Sequence, residues 1–258
     1  MAQKQEKAEK NKVIFVLGTD ETLANAIRRS ANEIPIAAID EVEFHKNDSA
    51  LYDEILAHRL GLVPLKENRK LNFIEECSCD GKGCNKCQIQ VSLKAKGPCT
   101  VYSGSLKGDV EVIYEKMPIT LLEKDQELEF VAFVRLGKTI KHAKFSPGLI
   151  FYRHISEITI KNADQAERII EKLRGSLLNT LKGKVKNGET YQSTQDTDYI
   201  ETLIESSESK NKPIELKTGD EIVFLIESWG QLEPKEIFTE SVKALEANLK
   251  EVLKSIKK

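Results

Sequence analysis

The chain has 258 residues, 40% of them apolar, enough for one large or two modest domains with cores of their own. Lys and Arg total 39 against 41 Asp and Glu, so the basic excess of a dedicated nucleic-acid binder is missing, although a local basic face is not excluded. No apolar run reaches the roughly 18 residues of a membrane span. The polar start MAQKQEKAEKNK has no apolar core of a secretion signal, so a cytoplasmic setting is expected and 1–10 is expected to be a flexible tail. In that setting the five cysteines are expected to be thiols or metal ligands rather than disulfides.

Val13 to Leu17 is a continuous apolar run and reads as a buried strand. Thr19 or Asp20 can cap the helix that follows, whose inner face is expected at Leu23, Ala26, Ile27 and Ser30. Arg28 and Arg29 should reach outward. Pro35 stops this helix, and Ile36 to Phe44 reads as a strand with Val42 and Phe44 on one face. Asn47-Asp48-Ser49 reads as a turn with Ser49 capping a second helix, its inner face at Leu51, Tyr52, Ile55, Leu56 and Leu60, and Gly61 ending it in the left-handed conformation. Asp53, Glu54, His58 and Arg59 share its polar face at helical spacing.

Cys77, Cys79, Cys84 and Cys87 lie within eleven residues as C-x-C, four residues, C-x-x-C. Two close pairs on a short loop let four thiolates converge on one ion, and Gly81 and Gly83 allow the tight backbone between them. A closed four-sulfur site suits structural zinc, and an iron–sulfur cluster uses the same ligand type. Cys99 stands apart and reads as a small apolar residue.

Ile89, Val91, Leu93 and Ala95 alternate with polar residues, the pattern of a half-exposed antiparallel strand. Further strands are expected at 109–114, 128–136 and 149–160, with a basic loop over 141–148. Asn162 or Asp164 caps a long helix with an apolar stripe at Ala166, Ile169, Ile170, Leu173, Leu177, Leu178 and Leu181. Residues 183–198 read as a polar loop; its Asp196 and Asp198 lack the further carboxylates of a magnesium site. Residues 214–216 and 221–228 flank Thr218-Gly219-Asp220 in a hairpin-like arrangement. The last helix, from about Pro234 to Ile256, carries Phe238, Val242, Leu245, Leu249, Val252 and Ile256 at steps of 4, 3, 4, 3, 4. Such a narrow heptad seam fits either a partner helix or the chain's own sheet.

Taken in order, Asn25-Ala26-Ile27-Arg28-Arg29, Ile34-Pro35, Ala38-Ile39, Asn47-Asp48-Ser49, Asp53-Glu54 and His58-Arg59-Leu60-Gly61-Leu62-Val63-Pro64-Leu65 resemble the D-type subunit family of archaeal DNA-directed RNA polymerase. That family includes the third-largest-type subunit of eukaryotic polymerase II and is related to the bacterial alpha subunit. His142-Ala143-Lys144-Phe145-Ser146-Pro147 and the stretch from Glu227-Ser228 through the terminal helix match two further family motifs, so the resemblance spans nearly the whole chain.

The resemblance implies an α+β fold: a discontinuous alpha-subunit-like dimerisation domain of 11–46, 149–160 and 214–258, an inserted, mostly β domain at 47–148 carrying a zinc loop, and a helical or loop insertion at 161–213. It implies a non-catalytic scaffold that pairs with the small subunit L through terminal helices, then joins subunit N and the second-largest subunit, with subunit P a further candidate. Arg28, Arg29 and the Asp53-Glu54 to Arg59 helix match the surface used toward the large subunits. The cysteine loop resembles the zinc loop of the eukaryotic subunit with one more residue between its pairs. Many archaeal relatives carry iron–sulfur cysteines after the long helix. Residues 161–213 contain no cysteine here, so one structural zinc and no iron–sulfur cluster is implied. Two rivals remain: a zinc-containing nucleic-acid-binding module using Lys141, His142 and Lys144, and a redox enzyme using Cys84 and Cys87.

Overall fold

The computed structural model describes residues 7–67, 70–171, 186–194, 197–205 and 212–256. Strand β1 (Lys7–Glu9) pairs antiparallel with β2 (Lys12–Leu17), Lys7 opposite Ile14. Part of the stretch expected to be a tail is therefore an edge strand; residues 1–6 lie outside the described residues. Helix α1 (Glu21–Ser30) is capped by Asp20, whose Oδ1 accepts from Leu23 N at 2.7 Å. Its buried positions are Ala24, Ile27 and Ser30, and Leu23, expected inside, is exposed. The inward stripe is thus rotated from the one the apolar residues suggested.

Strand β3 (Ile36–Asn47) leads into α2 (Asp53–Gly61). Ser49 does not cap α2. Its hydroxyl donates to Asn47 Oδ1 at 2.7 Å and accepts from Leu51 N at 3.3 Å, while Asn47 Nδ2 donates to Leu51 O and Asp53 Oδ1. These bonds build a polar turn, and the helix starts only after it. Leu56 and Leu60 are buried, whereas Tyr52 and Ile55, expected on the inner face, are exposed because the later start places them outward. Gly61 is not left-handed; the chain leaves α2 through Leu62 at φ −89°. A Cβ at Gly61 would lie 3.4 Å from Ile39 O, an ordinary contact, so neither its backbone conformation nor its packing requires glycine.

The middle of the chain is β-rich: β4 (Leu65–Glu67), β5 (Gln88–Lys96), β6 (Cys99–Tyr102), β7 (Lys107–Gly108), β8 (Val110–Val112), β9 (Pro118–Leu122) and β10 (Glu127–Gly137). The single strand expected at 109–114 is shorter, and β4, β6 and β9 are short pieces without a clear alternation of their own. Then come β11 (Gly148–Ile160), α3 (Ala163–Ile170), β12 (Thr190–Ser193), α4 (Asp198–Glu205), β13 (Ile214–Ser228) and α5 (Pro234–Ile256). Asn162 caps α3 by accepting from Gln165 N at 3.2 Å. The rest of its expected stripe, from Leu173 on, and Asp196 lie outside the described residues. The expected polar loop contains β12 and the start of α4, and the expected hairpin is one continuous strand. Gly219 sits inside β13 because a Cβ there would meet Ile155 Cγ2 at 2.6 Å.

Two compact units result: 1–26 with 150–226, and 27–149 with 227–258. The five-stranded sheet has the order β1-β2-β13-β11-β12, and Ile158, Ile160, Ala166, Ile169, Ile200 and Ile214 form an apolar cluster in the first unit. In the second, a four-stranded sheet of order β3-β10-β5-β7 buries Ile89, Val91, Leu93, Phe130, Ala132 and Val134 beneath Leu56 and Leu60 of α2. Strand β10 is central, with Val131 opposite Glu43 of β3 and Ser92 of β5.

Candidate metal centre and partner surfaces

The four expected cysteines come together. A short 3-10 turn, Ile74–Glu76, delivers Cys77, and Cys87 leads directly into β5. Between them Asp80 (φ 52°), Gly81 (φ 77°) and Gly83 (φ 79°) take the left-handed conformation, which reverses the chain within a few residues. One sulfur from each cysteine lies within 4.8 Å of every other. Cys77 and Cys84 Sγ are 3.6 Å apart, Cys79 and Cys87 Sγ 3.6 Å, and Cys84 and Cys87 Sγ 3.9 Å. None is in a disulfide. Cys77 and Cys87 are buried and Cys79 and Cys84 half-buried.

The backbone also points at the sulfurs. Cys84 N donates to Cys87 Sγ at 3.2 Å and Lys86 N to Cys84 Sγ at 3.5 Å. The Lys86 N–H, and after it the Cys77 thiol, bring Cys84 down to about 7, while burial pushes Cys87 up to about 12. Four soft donors with inward N–H groups can hold a metal ion, and four sulfurs leave no open position for water or substrate. Cys99 is outside this group and packs half-buried against the core of its unit.

Lys141 and Lys144 are not a free basic face. Lys144 Nζ lies 2.7 Å from Asp40 Oδ1, and Lys141 Nζ is 3.6 Å from Glu75 Oε1 and 3.8 Å from Asp40 Oδ2. His142 Nδ1 accepts from Lys144 N at 3.1 Å, a local turn contact. The nucleic-acid-binding alternative is therefore not favoured. The redox alternative also loses ground, because Cys84 and Cys87 belong to a four-sulfur group.

The residues expected at partner interfaces fall in three places. Arg28 and Arg29 form the last turn of α1, half-buried and exposed respectively. Asp53 and Glu54 are exposed in the first turn of α2, and Arg59 Nη2 donates to Pro118 O at 2.6 Å. On α5 the inward residues are Pro234, Ile237 and Ser241, one position off the heptad seam. Phe238, Val242 and Leu245 are half-buried, while Leu249, Val252 and Ile256 are 55%, 55% and 76% exposed. Leu253, which the seam missed, is also exposed and widens the apolar stripe.

Sequence reasoning also missed a groove of about 550 Å³ lined by Leu62, Pro64, Tyr114, Ala143, Leu149 and Trp229 among others. Its residues come from four separate stretches, so no local pattern announced it. Among the described residues, no helix is long and apolar enough to cross a membrane.

The closed four-sulfur loop and the exposed apolar surfaces suit a subunit that presents surfaces to other chains. Residues 38–150 match the family described as RNA polymerase Rpb3/RpoA insert domain. DNA-directed RNA polymerase subunit Rpo3 of Thermococcus kodakarensis is 36% identical, over 90% of this chain and 88% of that protein. Subunit Rpo3 of Pyrococcus furiosus is 34% identical over 90% of this chain and 87% of that protein. DNA-directed RNA polymerase II subunit rpb3 of Dictyostelium discoideum is 29% identical over 91% and 90%. The chain belongs to the Rpo3/Rpb3 family of DNA-directed RNA polymerase subunits, and its role there is assembly, not catalysis.

Proposed function

We propose that this subunit nucleates a polymerase by pairing with the small subunit L through α5 and then docking subunit N and the second-largest subunit, with subunit P a further neighbour, in the cytoplasm. The observation that carries the reading is the exposed stripe Leu249, Val252, Leu253 and Ile256, more than half exposed on a helix whose opposite face is charged. Such a stripe gains roughly 25 cal/mol for each Å² it buries, before the costs of association. The split dimerisation domain of 11–46, 149–160 and 214–258 is part of the same reading. It is supported by β2, β13 and β11 lying side by side in one sheet and by the insert-domain match at 38–150. Arg28, Arg29, Asp53, Glu54 and Arg59 then face the large subunits.

The metal we propose is a single structural zinc on Cys77, Cys79, Cys84 and Cys87, without an iron–sulfur cluster. Tetrahedral zinc with sulfurs at about 2.3 Å implies sulfur–sulfur edges of about 3.8 Å. The observed 3.6, 3.6 and 3.9 Å agree with that geometry. Zinc would fix the loop's fold and supply no reaction chemistry.

Native mass spectrometry of the chain drawn from its own cells in mild salt tests both parts. The expected species is a heterodimer or larger assembly with a small partner and one zinc mass. A free monomer or a homodimer would overturn the pairing, and an iron mass would overturn the zinc assignment.

A further inference from the structure

Two routes lead from the cysteine loop to the 141–147 loop, both within the second unit: one starts with packing of Gly83 on Gln88 and continues through polar contacts, the other is a single ion pair. The first begins at Gly83, between Cys79 and Cys84. A Cβ there would lie 2.6 Å from the Gln88 side-chain amide, so loop backbone and amide are in direct apposition. Gln88 is the residue after Cys87, and its Oε1 accepts from Arg135 Nε at 3.2 Å and Nη2 at 3.1 Å. Arg135, on β10, reaches across to β3, placing Nη1 3.7 Å from Asp40 Oδ2 and Nη2 2.9 Å from Glu41 Oε2. The other oxygen of Asp40 holds Lys144 at 2.7 Å. The second is shorter: Glu75, two residues before Cys77, pairs with Lys141 at 3.6 Å. Lys144, Asp40 and Arg135 are all less than one-fifth exposed at their side chains, so their pairing is poorly screened by solvent.

We propose that Gln88 and Arg135 are positioning residues through which the metal-bound cysteine loop fixes the 141–147 loop, and with it the wall that Ala143, Lys144 and Ser146 give to the Trp229 groove. Gln88 follows Cys87 directly and its side chain packs on Gly83, so a held loop restricts where that amide can lie. The amide sets the guanidinium plane of Arg135, which fixes the carboxylate that Lys144 requires. A loop carrying surface contacts is thereby stiffened without any contact of its own to the metal. The inference rests on the four cysteines holding a metal, so metal content is measured on every sample.

The test is amide hydrogen exchange on the full chain, read at Phe145 and Ser146, whose N–H groups donate to His142 O and Ala143 O. Val131 to Val134 of β10 serve as the internal standard. Gln88→Ala, with metal content equal to wild type, is expected to speed exchange at 145 and 146 by about tenfold while β10 stays protected. Removing the metal from wild type with a chelator should produce a change at least as large, and chelation of Gln88→Ala should add only what the remaining Glu75–Lys141 link carries. Metal-loaded Gln88→Ala exchanging like wild type at 145 and 146 overturns the proposal. If chelation exposes β10 as well, the metal-loaded variant alone decides. Wild-type chain that holds no metal before chelation refutes the metal reading, a failure the metal measurement distinguishes from failure of the relay.

Discussion

Gln231 Nε2 donates to the carbonyl of Ala37 at 3.1 Å, and to that of Leu65 at 3.1 Å, across 194 and 166 residues of sequence. The side chain is 8% exposed, so one amide satisfies two backbone acceptors that have little access to water. It ties the segment after β13 to both β3 and β4. Gln231→Leu keeps the volume and strands both carbonyls. The expected cost is about 2 kcal/mol or more, the penalty of unmade buried hydrogen bonds, read as a lower denaturation midpoint with an unchanged slope. An unchanged midpoint would mean that water reaches these carbonyls.

Nothing near Gln231 in the sequence announces that role, and this marks the boundary of what can be read there. Periodicity finds β3, β5, β10 and α5, because each presents a long alternating or heptad pattern to a core or a surface. The four cysteines are legible because their ligand spacing is local. Long-range polar contacts are not. Ser49 has the position of a cap, but its hydroxyl is consumed by Asn47 and Leu51. Gly219 has the neighbours of a turn, but it is a glycine inside a strand where Ile155 passes close. Each is a residue with two common uses, one local and one tertiary, and packing selects the tertiary one.

The Asp40 carboxyl predicts a dependence on pH. Burial alone would raise its pKa, but the hydrogen bond from Lys144 and the charges of Lys144, Lys141 and Arg135 outweigh burial and hold it below the ordinary 3.8. A lowered folded-state value means that the stabilisation is complete above the unfolded carboxyl's range and is lost as pH falls through the lower folded value. Wild type should therefore lose stability more steeply than Asp40→Asn between about pH 5 and pH 2, and the two curves should approach each other at the acid end. Parallel curves would show that Asp40 contributes nothing through its charge. Urea denaturation across that range supplies the measurement.

Gly137 predicts a packing effect. A Cβ at this position would lie 2.5 Å from the ring of Phe145, which is fully buried. Since the ring has no open space to move into, Gly137→Ala should destabilise by about 1–3 kcal/mol. Gly137→Ala combined with Phe145→Leu should recover part of that loss, because the smaller side chain yields the space the methyl needs. Failure of the second substitution to recover any stability would place the strain in the β10 backbone instead.

The cysteine loop and α5 should separate experimentally. Cys84→Ser removes one of four sulfurs and the thiol that receives the Lys86 N–H. Metal content should fall close to zero, and hydrogen-exchange protection over 77–87 should be lost. The apolar core beneath α2 does not include Cys84, so circular dichroism of the sheet should change little. Copurification with the small partner should also persist, because the α5 stripe contains none of the loop's residues. Loss of pairing in Cys84→Ser would mean that the loop and the partner surface fold as one cooperative element.

Leu249 and Val252 give the most direct test of the partner surface, because both are 55% exposed and neither supports the chain's own core. Leu249→Asp with Val252→Asp should leave the melting temperature of the isolated chain within about 2 °C of wild type, as surface substitutions usually do. Pairing should weaken at least about 100-fold, since two carboxylates would be buried against apolar side chains without a cation to meet them. The control is Lys243→Ala, which removes an exposed ion pair with Glu240 on the same helix and should change affinity by less than about threefold. Equal weakening by the control would point to a general loss of helix stability. No weakening by the double variant would move the partner surface elsewhere, with the Trp229 groove the next place to substitute.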